Sequence, residues 1–318
     1  MHHQPIDPAD KVEINEVGPR DGLQNLSQFI ENPKKIHLIE LLVESGLKSI
    51  QIGGFVSPKA IPQFRGIGQV AETVTSRIKG VSFSVLVPNL KGALNAIESG
   101  IKKINFIFSV SEAHNLSNVR KRVKESLEEL SKINVLVEKH EEIEISADLA
   151  TVFGCPFTLE VPDSSILKCC QRVRDMGIRE ITLSDTVGFA DPHLVERIVT
   201  QCHDKFPEVT FRLHLHNTRG LALANTLAAF KLGIRSFDSA IGGLGGCPYA
   251  PGATGNVATE DQVFMFNQMG VETGVDIEKL MKATRFLEKE VGSGLIESSV
   301  FKAGLPKQSR TDCRKPGN

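Results

Sequence analysis

Tryptophan is absent from the 318 residues, tyrosine occurs once, at Tyr249, and no two of the six cysteines form a C-x-x-C pair. The shortage of Trp and Tyr argues against a stacking platform for single-stranded nucleic acid. The cysteine spacing excludes a zinc ribbon, and six cysteines in a chain of this length are too few for a disulfide framework, so free thiols are expected. Excess charge of either sign is also lacking: 37 Lys+Arg face 38 Asp+Glu. No global field is available to hold nucleic acid or an anionic membrane, and neither is expected as a partner. No apolar run approaches the roughly 18 residues of a membrane span, and the opening Met-His-His-Gln-Pro-Ile-Asp lacks the charged-then-apolar order of a secretory signal. A cytoplasmic protein is the expectation. With 41% hydrophobic and 24% charged residues, the chain has the material for a large core.

Short β-branched runs alternate with segments of helical spacing and predict strands at 12–17, 49–52, 81–87, 103–109, 142–149, 180–183, 209–216 and 236–241. Between them, Pro33 opens a helical run that stops at Gly46, Pro192 opens another, and Asn89 caps a segment ending at Gly100. Eight strands alternating with single helices predict an α/β fold, a closed (β/α)8 TIM barrel over about 12–256. A doubly wound sheet would instead place G-x-G-x-x-G after its first strand, where Gly18-Pro-Arg-Asp-Gly22 stands. From Gly255 onward the spacing is helical, at 263–269 and 277–291. This reads as a C-terminal helical extension over about 257–300 before a polar tail at about 306–318. No repeat or linker divides the chain, so a single catalytic domain spans 1–318.

A barrel of this kind carries its chemistry at the carboxyl ends of its strands. On the seventh strand, a period of two sets Arg212, His214 and His216 on one face, opposite Val209, Phe211, Leu213 and Leu215. That face points inward and puts two imidazoles at the mouth, spaced to share one metal; two hydrogen-bonded core histidines are the alternative. After the first strand, Arg20 could neutralise an oxyanion and Asp21 could join the histidines on a metal. The loop after the eighth strand, Gly242-Gly-Leu-Gly-Gly-Cys247, is flexible enough for a lid, with Cys247 as its acid or base; a phosphate-cradling loop or a plain turn is the alternative. Asp185 ends the sixth strand as a supporting carboxylate or a helix cap.

Together these stretches resemble the 3-hydroxy-3-methylglutaryl-CoA lyase family, metal-dependent TIM-barrel enzymes related to isopropylmalate synthase. The likeness rests on Asn15-Glu-Val-Gly-Pro-Arg-Asp-Gly-Leu-Gln-Asn25, Phe55-Val-Ser-Pro-Lys59, Gly243-Leu-Gly-Gly-Cys-Pro-Tyr249 and Ala258-Thr-Glu-Asp261. It implies cleavage of a 3-hydroxyacyl-CoA thioester, 3-hydroxy-3-methylglutaryl-CoA foremost, to acetyl-CoA and acetoacetate. A Mg²⁺ or Mn²⁺ ion held by Asp21, His214, His216 and Asn256 is implied as cofactor. The same resemblance implies Arg20, His214, Cys247 and Asp185 as catalytic residues, and Arg20, Gln51 and Lys59 as substrate contacts. A homo-oligomer, a dimer, is the expected assembly. Gln51 stands where the family normally carries Glu, and Asn217 where the lyases usually carry Asp. A lyase for a related thioester such as citramalyl-CoA and a synthase running the condensation forward are the competing readings; the cysteine loop favours the lyases. Lys59 and the basic run Arg120-Lys-Arg122 are the candidates for contacting the CoA phosphates, with a solvated helix face as the alternative for the run.

Overall fold

The computed structural model describes residues 10–246 and 255–306. Eight parallel strands, β1 (Glu13–Glu16), β2 (Ser49–Gly54), β3 (Ser82–Val87), β4 (Lys103–Ser109), β5 (Glu144–Ala150), β6 (Glu180–Asp185), β7 (Thr210–Leu215) and β8 (Ser236–Ser239), pair in sequence order. β8 returns to β1 through the partners Glu13 with Ser236 and Glu16 with Ser239, which closes a (β/α)8 TIM barrel.

All eight strands fall where the periodicity predicts them. β2 and β6 run on through Gly53-Gly54 and Ser184-Asp185, glycine and polar residues that carry no strand signal of their own and are held by pairing to β3 and β7. A bulge between Gln51 and Gly53 bends β2 at its functional end. β8 stops early because 241–243 turns tightly instead of extending.

Helices α1 (Asn32–Glu44), α2 (Ile67–Arg77), α3 (Leu90–Glu98), α4 (Glu112–Val119), α5 (Val123–Val137), α6 (Asp163–Asp175), α7 (Pro192–Lys205) and α8 (Ala222–Lys231) surround the barrel. Their starts follow local chemistry. Asn89 Oδ1 accepts the Gly92 amide at 2.9 Å, and Asp191 Oδ1 accepts those of His193 and Leu194 at 2.9 and 3.1 Å. Of the helices expected beyond the barrel, α9 (Thr259–Gln268) takes the place of the eighth crossover helix against α8 and β1. α10 (Ile277–Val291) packs on α1 and α9, and α11 (Ser299–Ala303) docks on α9. None of the helices among the described residues is long and apolar enough to cross a membrane.

The apolar core lies between strands and helices, where Ile50, Val85, Phe106, Leu149, Leu183, Leu213 and Phe237 are fully buried. The inside of the barrel is polar. Asn15 Nδ2 donates to Asp238 Oδ1 at 2.7 Å, Ser49 Oγ to Asn15 Oδ1 at 2.8 Å, and Arg212 Nε to Ser236 Oγ at 2.8 Å. Arg212 Nη1 and Lys103 Nζ reach the two oxygens of Glu180 at 3.0 and 2.7 Å. Buried polar groups stay stable only when bonded, and this network forms a rigid floor beneath the carboxyl-end mouth. Cys155, Cys169, Cys170 and Cys202 are buried free thiols, as expected.

Candidate active site

The chain leaves β1 in a wide turn, Gly18–Gly22, in which the Asp21 and Gly22 amides both meet the Val17 carbonyl, at 2.7 and 3.4 Å. Glu16 fixes that turn from below: its Oε1 accepts the Gly18 and Ile241 amides at 2.7 and 2.8 Å, and its Oε2 accepts Thr259 Oγ1 at 2.6 Å. A Cβ at residue 18 would lie 2.5 Å from Glu16 Oε1, so only glycine lets the turn sit this close. The turn aims Arg20 and Asp21 over the mouth.

There Asp21 meets His214 of β7 and His216, which stands one residue past the strand's end and bridges to Asn256. Asp21 Oδ2 lies 3.8 Å from both His214 Nε2 and His216 Nε2, and the two Nε2 atoms are 3.1 Å apart. One donor atom from each residue falls within 4.8 Å of the others, and all three side chains are buried. The chemistry of this set fits a divalent cation: two imidazole nitrogens and a carboxylate oxygen converge, and His214 Nδ1 is held by Asp238 Oδ2 at 3.1 Å, the support that orients a metal-ligating imidazole. Asn256 Nδ2 donates to Asp21 Oδ2 at 2.8 Å and to the Leu244 carbonyl at 3.0 Å, which leaves its Oδ1 as the atom a cation could take.

Charge is tuned around this trio. Burial by itself would raise the Asp21 pKa, but the Arg20 guanidinium, a hydrogen bond from His216 and the charges of both imidazoles outweigh it. The carboxyl is held well below its ordinary range. Burial works to lower His214, yet the Asp238 hydrogen bond and charge raise it overall. Arg20 donates from Nη1 to Asp21 and from Nε to Gln51 Oε1, and Gln24 Nε2 adds a bond to Asp21 Oδ1 at 2.8 Å. Gln51 thus acts on the guanidinium, not on the trio.

The remaining predicted positions divide. Asp185 is buried, but its oxygens accept the Phe189 and Ala190 amides at 2.8 and 3.1 Å, fastening the turn after β6; the cap of α7 belongs to Asp191. Its charge still couples to His216. Lys59 is exposed on the loop after β2, between mouth-lining Val56 and Ala60. Asn217 Oδ1 accepts the Ala222 amide at 3.2 Å and serves the start of α8. Glu260 and Asp261 are structural: Glu260 accepts the Gly242 amide and Thr284, and Asp261 fastens α11 through Ser298, Ser299 and Val300. Cys247 lies outside the described residues.

A cavity of about 450 Å³ opens above the trio, walled by Arg20, Leu86, Ile107, Asp148 and Ser184. Sequence reasoning missed Asp148, Asp238 and Gln24. Asp148 and Asp238 carried a signal, an acid one step from apolar neighbours on a barrel strand, in Ala147-Asp-Leu149 and Phe237-Asp-Ser239; Gln24 carried none.

Fold and site together define a TIM-barrel enzyme whose mouth presents an Asp/His/His cluster able to hold a metal ion. Residues 11–287 match the HMGL-like family. A hydroxymethylglutaryl-CoA lyase of Bacillus subtilis is 44% identical over 295 residues, 92% of this chain and 98% of that protein. An (R)-citramalyl-CoA lyase of Chloroflexus aurantiacus is 38% identical over 304 residues, 93% and 95% of the two chains. Among solved structures, an HMG-CoA lyase from A. baumannii in complex with coenzyme A and 3-methylmalate superposes with a TM-score of 0.88 at 38% identity, covering 99% of this chain and all of that one. The chain belongs to the HMGL-like family and is a carbon–carbon lyase.

Proposed function

We propose that the protein is a divalent-metal-dependent acyl-CoA lyase that cleaves 3-hydroxy-3-methylglutaryl-CoA to acetyl-CoA and acetoacetate. The observation that carries this reading is the meeting of Asp21, His214 and His216 at the barrel mouth in a chain of this family. The coenzyme A bound to the A. baumannii relative supports an acyl-CoA substrate.

Breaking the C2–C3 bond requires the 3-hydroxyl to lose its proton and the thioester oxygen to take up the departing electron pair, so two developing negative charges need stabilising. Asp21, His214, His216 and the Asn256 oxygen would hold a Mg²⁺ or Mn²⁺ ion, which would supply the Lewis acidity that makes the hydroxyl easier to deprotonate. Arg20 answers the second charge: a guanidinium locked by Gln51 and Asp21 is an enolate-oxygen partner that need not reorganise. Asp238 fixes His214 so that Nε2 stays directed at the trio. Cys247 supplies the proton that the acetyl-CoA enolate carbon takes up, from the loop that follows β8. Lys59, exposed on the loop after β2, and Lys121, on the cavity wall, are the candidates for the CoA phosphates. Asp185 holds the turn after β6 with its charge coupled to His216, and the whole works as a single catalytic domain, a cytoplasmic homodimer.

A thioester panel with Mn²⁺ tests this. Acetoacetate from 3-hydroxy-3-methylglutaryl-CoA is the expected product. Pyruvate from citramalyl-CoA is the second reading, favoured by the C. aurantiacus relative. Release of CoA from acetyl-CoA plus a 2-oxo acid, with Cys247→Ala tolerated, would replace the lyase with a synthase.

A further inference from the structure

One carboxylate of the mouth cavity keeps an oxygen without a hydrogen bond. Asp148 projects from β5, across the barrel from the turn that carries Arg20, and is 5% exposed. Its Oδ1 is wholly buried without a hydrogen bond. Such an atom costs stability unless something else fills its valence, on the order of 1–3 kcal/mol.

The other acids and bases at the mouth are less suited: His216 Nδ1 also lacks a hydrogen bond, but with Nε2 directed at the trio that nitrogen carries the ring's proton and cannot accept another. Asp21 accepts from Arg20 and Gln24 on one oxygen and from Asn256 on the other. Asp238 accepts from Asn15 and is bonded to His214. His214 has Nδ1 on Asp238 and Nε2 directed at the trio, so as a metal ligand it has no nitrogen left for a proton. Gln51 is a neutral amide, and burial pushes His114, on the cavity wall, down to about 4, too weak a base. We propose that Asp148 is the catalytic base of the lyase, the group that takes the proton of the substrate's 3-hydroxyl.

This rests on the lyase reading given above. The O–H bond breaks as Asp148 gains the proton; the oxygen's electron pair forms the C3 carbonyl of the released oxo acid; the C2–C3 pair moves into the acetyl-CoA enolate. Protonation of the enolate carbon by the acid, and return of the proton from Asp148, close the cycle with no net proton change.

Electrostatics agree with the task. Burial raises the Asp148 carboxyl, the Asp238 charge on β8 raises it further, and Arg20 from the β1 turn, a hydrogen bond with Thr182 on β6 and Arg212 on β7 pull it back, leaving it at about 6. Its pairing partners on β4 and β6, Ile107 and Thr182, add no charge. A carboxylate so placed is ionised at neutral pH and still basic enough to accept a proton.

The test compares wild type with Asp148→Asn on 3-hydroxy-3-methylglutaryl-CoA with Mn²⁺, from pH 4.5 to 9. Wild-type kcat/KM should fall below about pH 6 on a single-ionisation limb. Asp148→Asn should lose 100-fold or more in kcat, lack that limb, and bind Mn²⁺ in calorimetry within threefold of wild type. Formate should restore part of the rate to Asp148→Ala. Activity of Asp148→Asn within threefold of wild type, or survival of the same acid limb in it, overturns the assignment. If neither variant folds, the wild-type profile decides, and the absence of an acid limb overturns it. A wild type that cleaves no thioester removes the lyase reading and this inference with it; a wild type that cleaves while Asp148→Asn matches it removes the inference alone.

Discussion

Asp21 and Asp238 make a pair for comparison at the scale of single residues. Asp21 offers the trio its only carboxylate oxygen, whereas Asp238 acts on the trio through His214 Nδ1. Asp21→Asn keeps the shape and removes the charge, so Mn²⁺ affinity should drop by about 100-fold or more. Asp238→Asn, which only loosens the hold on one imidazole, should lose about 10- to 100-fold. Calorimetric isotherms of the two variants give the ranking, and equal losses would mean that Asp21 merely orients Arg20. His214 and His216 were readable as a pair because a period of two needs no tertiary information. The partner of Gln51 was not readable, since nothing in β2 announces that its amide oxygen will meet a guanidinium from the β1 turn.

Among the elements, Glu16 ties β1 to the β8 turn and to α9, three pieces far apart in the chain. Burial pushes its carboxyl from 4.5 to about 8, and the bonds from Thr259, Ile241 and Gly18 only partly offset that. The folded state therefore binds a proton more tightly than the unfolded one. The resulting stability is complete below about pH 4.5 and is lost as pH rises through about 8, at roughly 1.4 kcal/mol per pH unit. Glu16→Gln keeps an acceptor for both amides and has no charge to bury. Its melting temperature should gain on wild type by several degrees between pH 5 and 8.5, and a pH-independent difference in scanning fluorimetry would contradict this account. The element boundaries that periodicity misjudged, at the ends of β2 and β6, are where glycine and polar residues are held extended by neighbouring strands.

For the molecule as a whole, the Asp21/His214/His216 cluster, a candidate cation site, joins the first strand's turn to the end of the seventh strand, so a cation bound there would clamp the barrel's closure. A ligand that binds only the folded state at 100 times its Kd adds about 2.7 kcal/mol. Mn²⁺ should accordingly raise the melting temperature by several degrees, EDTA should reverse the rise, and Asp21→Asn should show neither effect. Equal melting with and without Mn²⁺ in the wild type would mean that the trio holds no ion.

The alternation of eight strand patterns with helical ones, the helix starts at Asn89 and Pro192, and the common face of His214 and His216 follow from local rules alone, because propensity, capping and side-chain alternation act over a few residues. Barrel closure decided the rest. The β7–β8 register sets Asp238 opposite His214, while pairing of β8 with β1 brings Asp21 beside the histidines and leaves Asp148 facing Arg20 across the mouth. Those distances depend on the stagger of strands separated by most of the chain, and no local pattern encodes it.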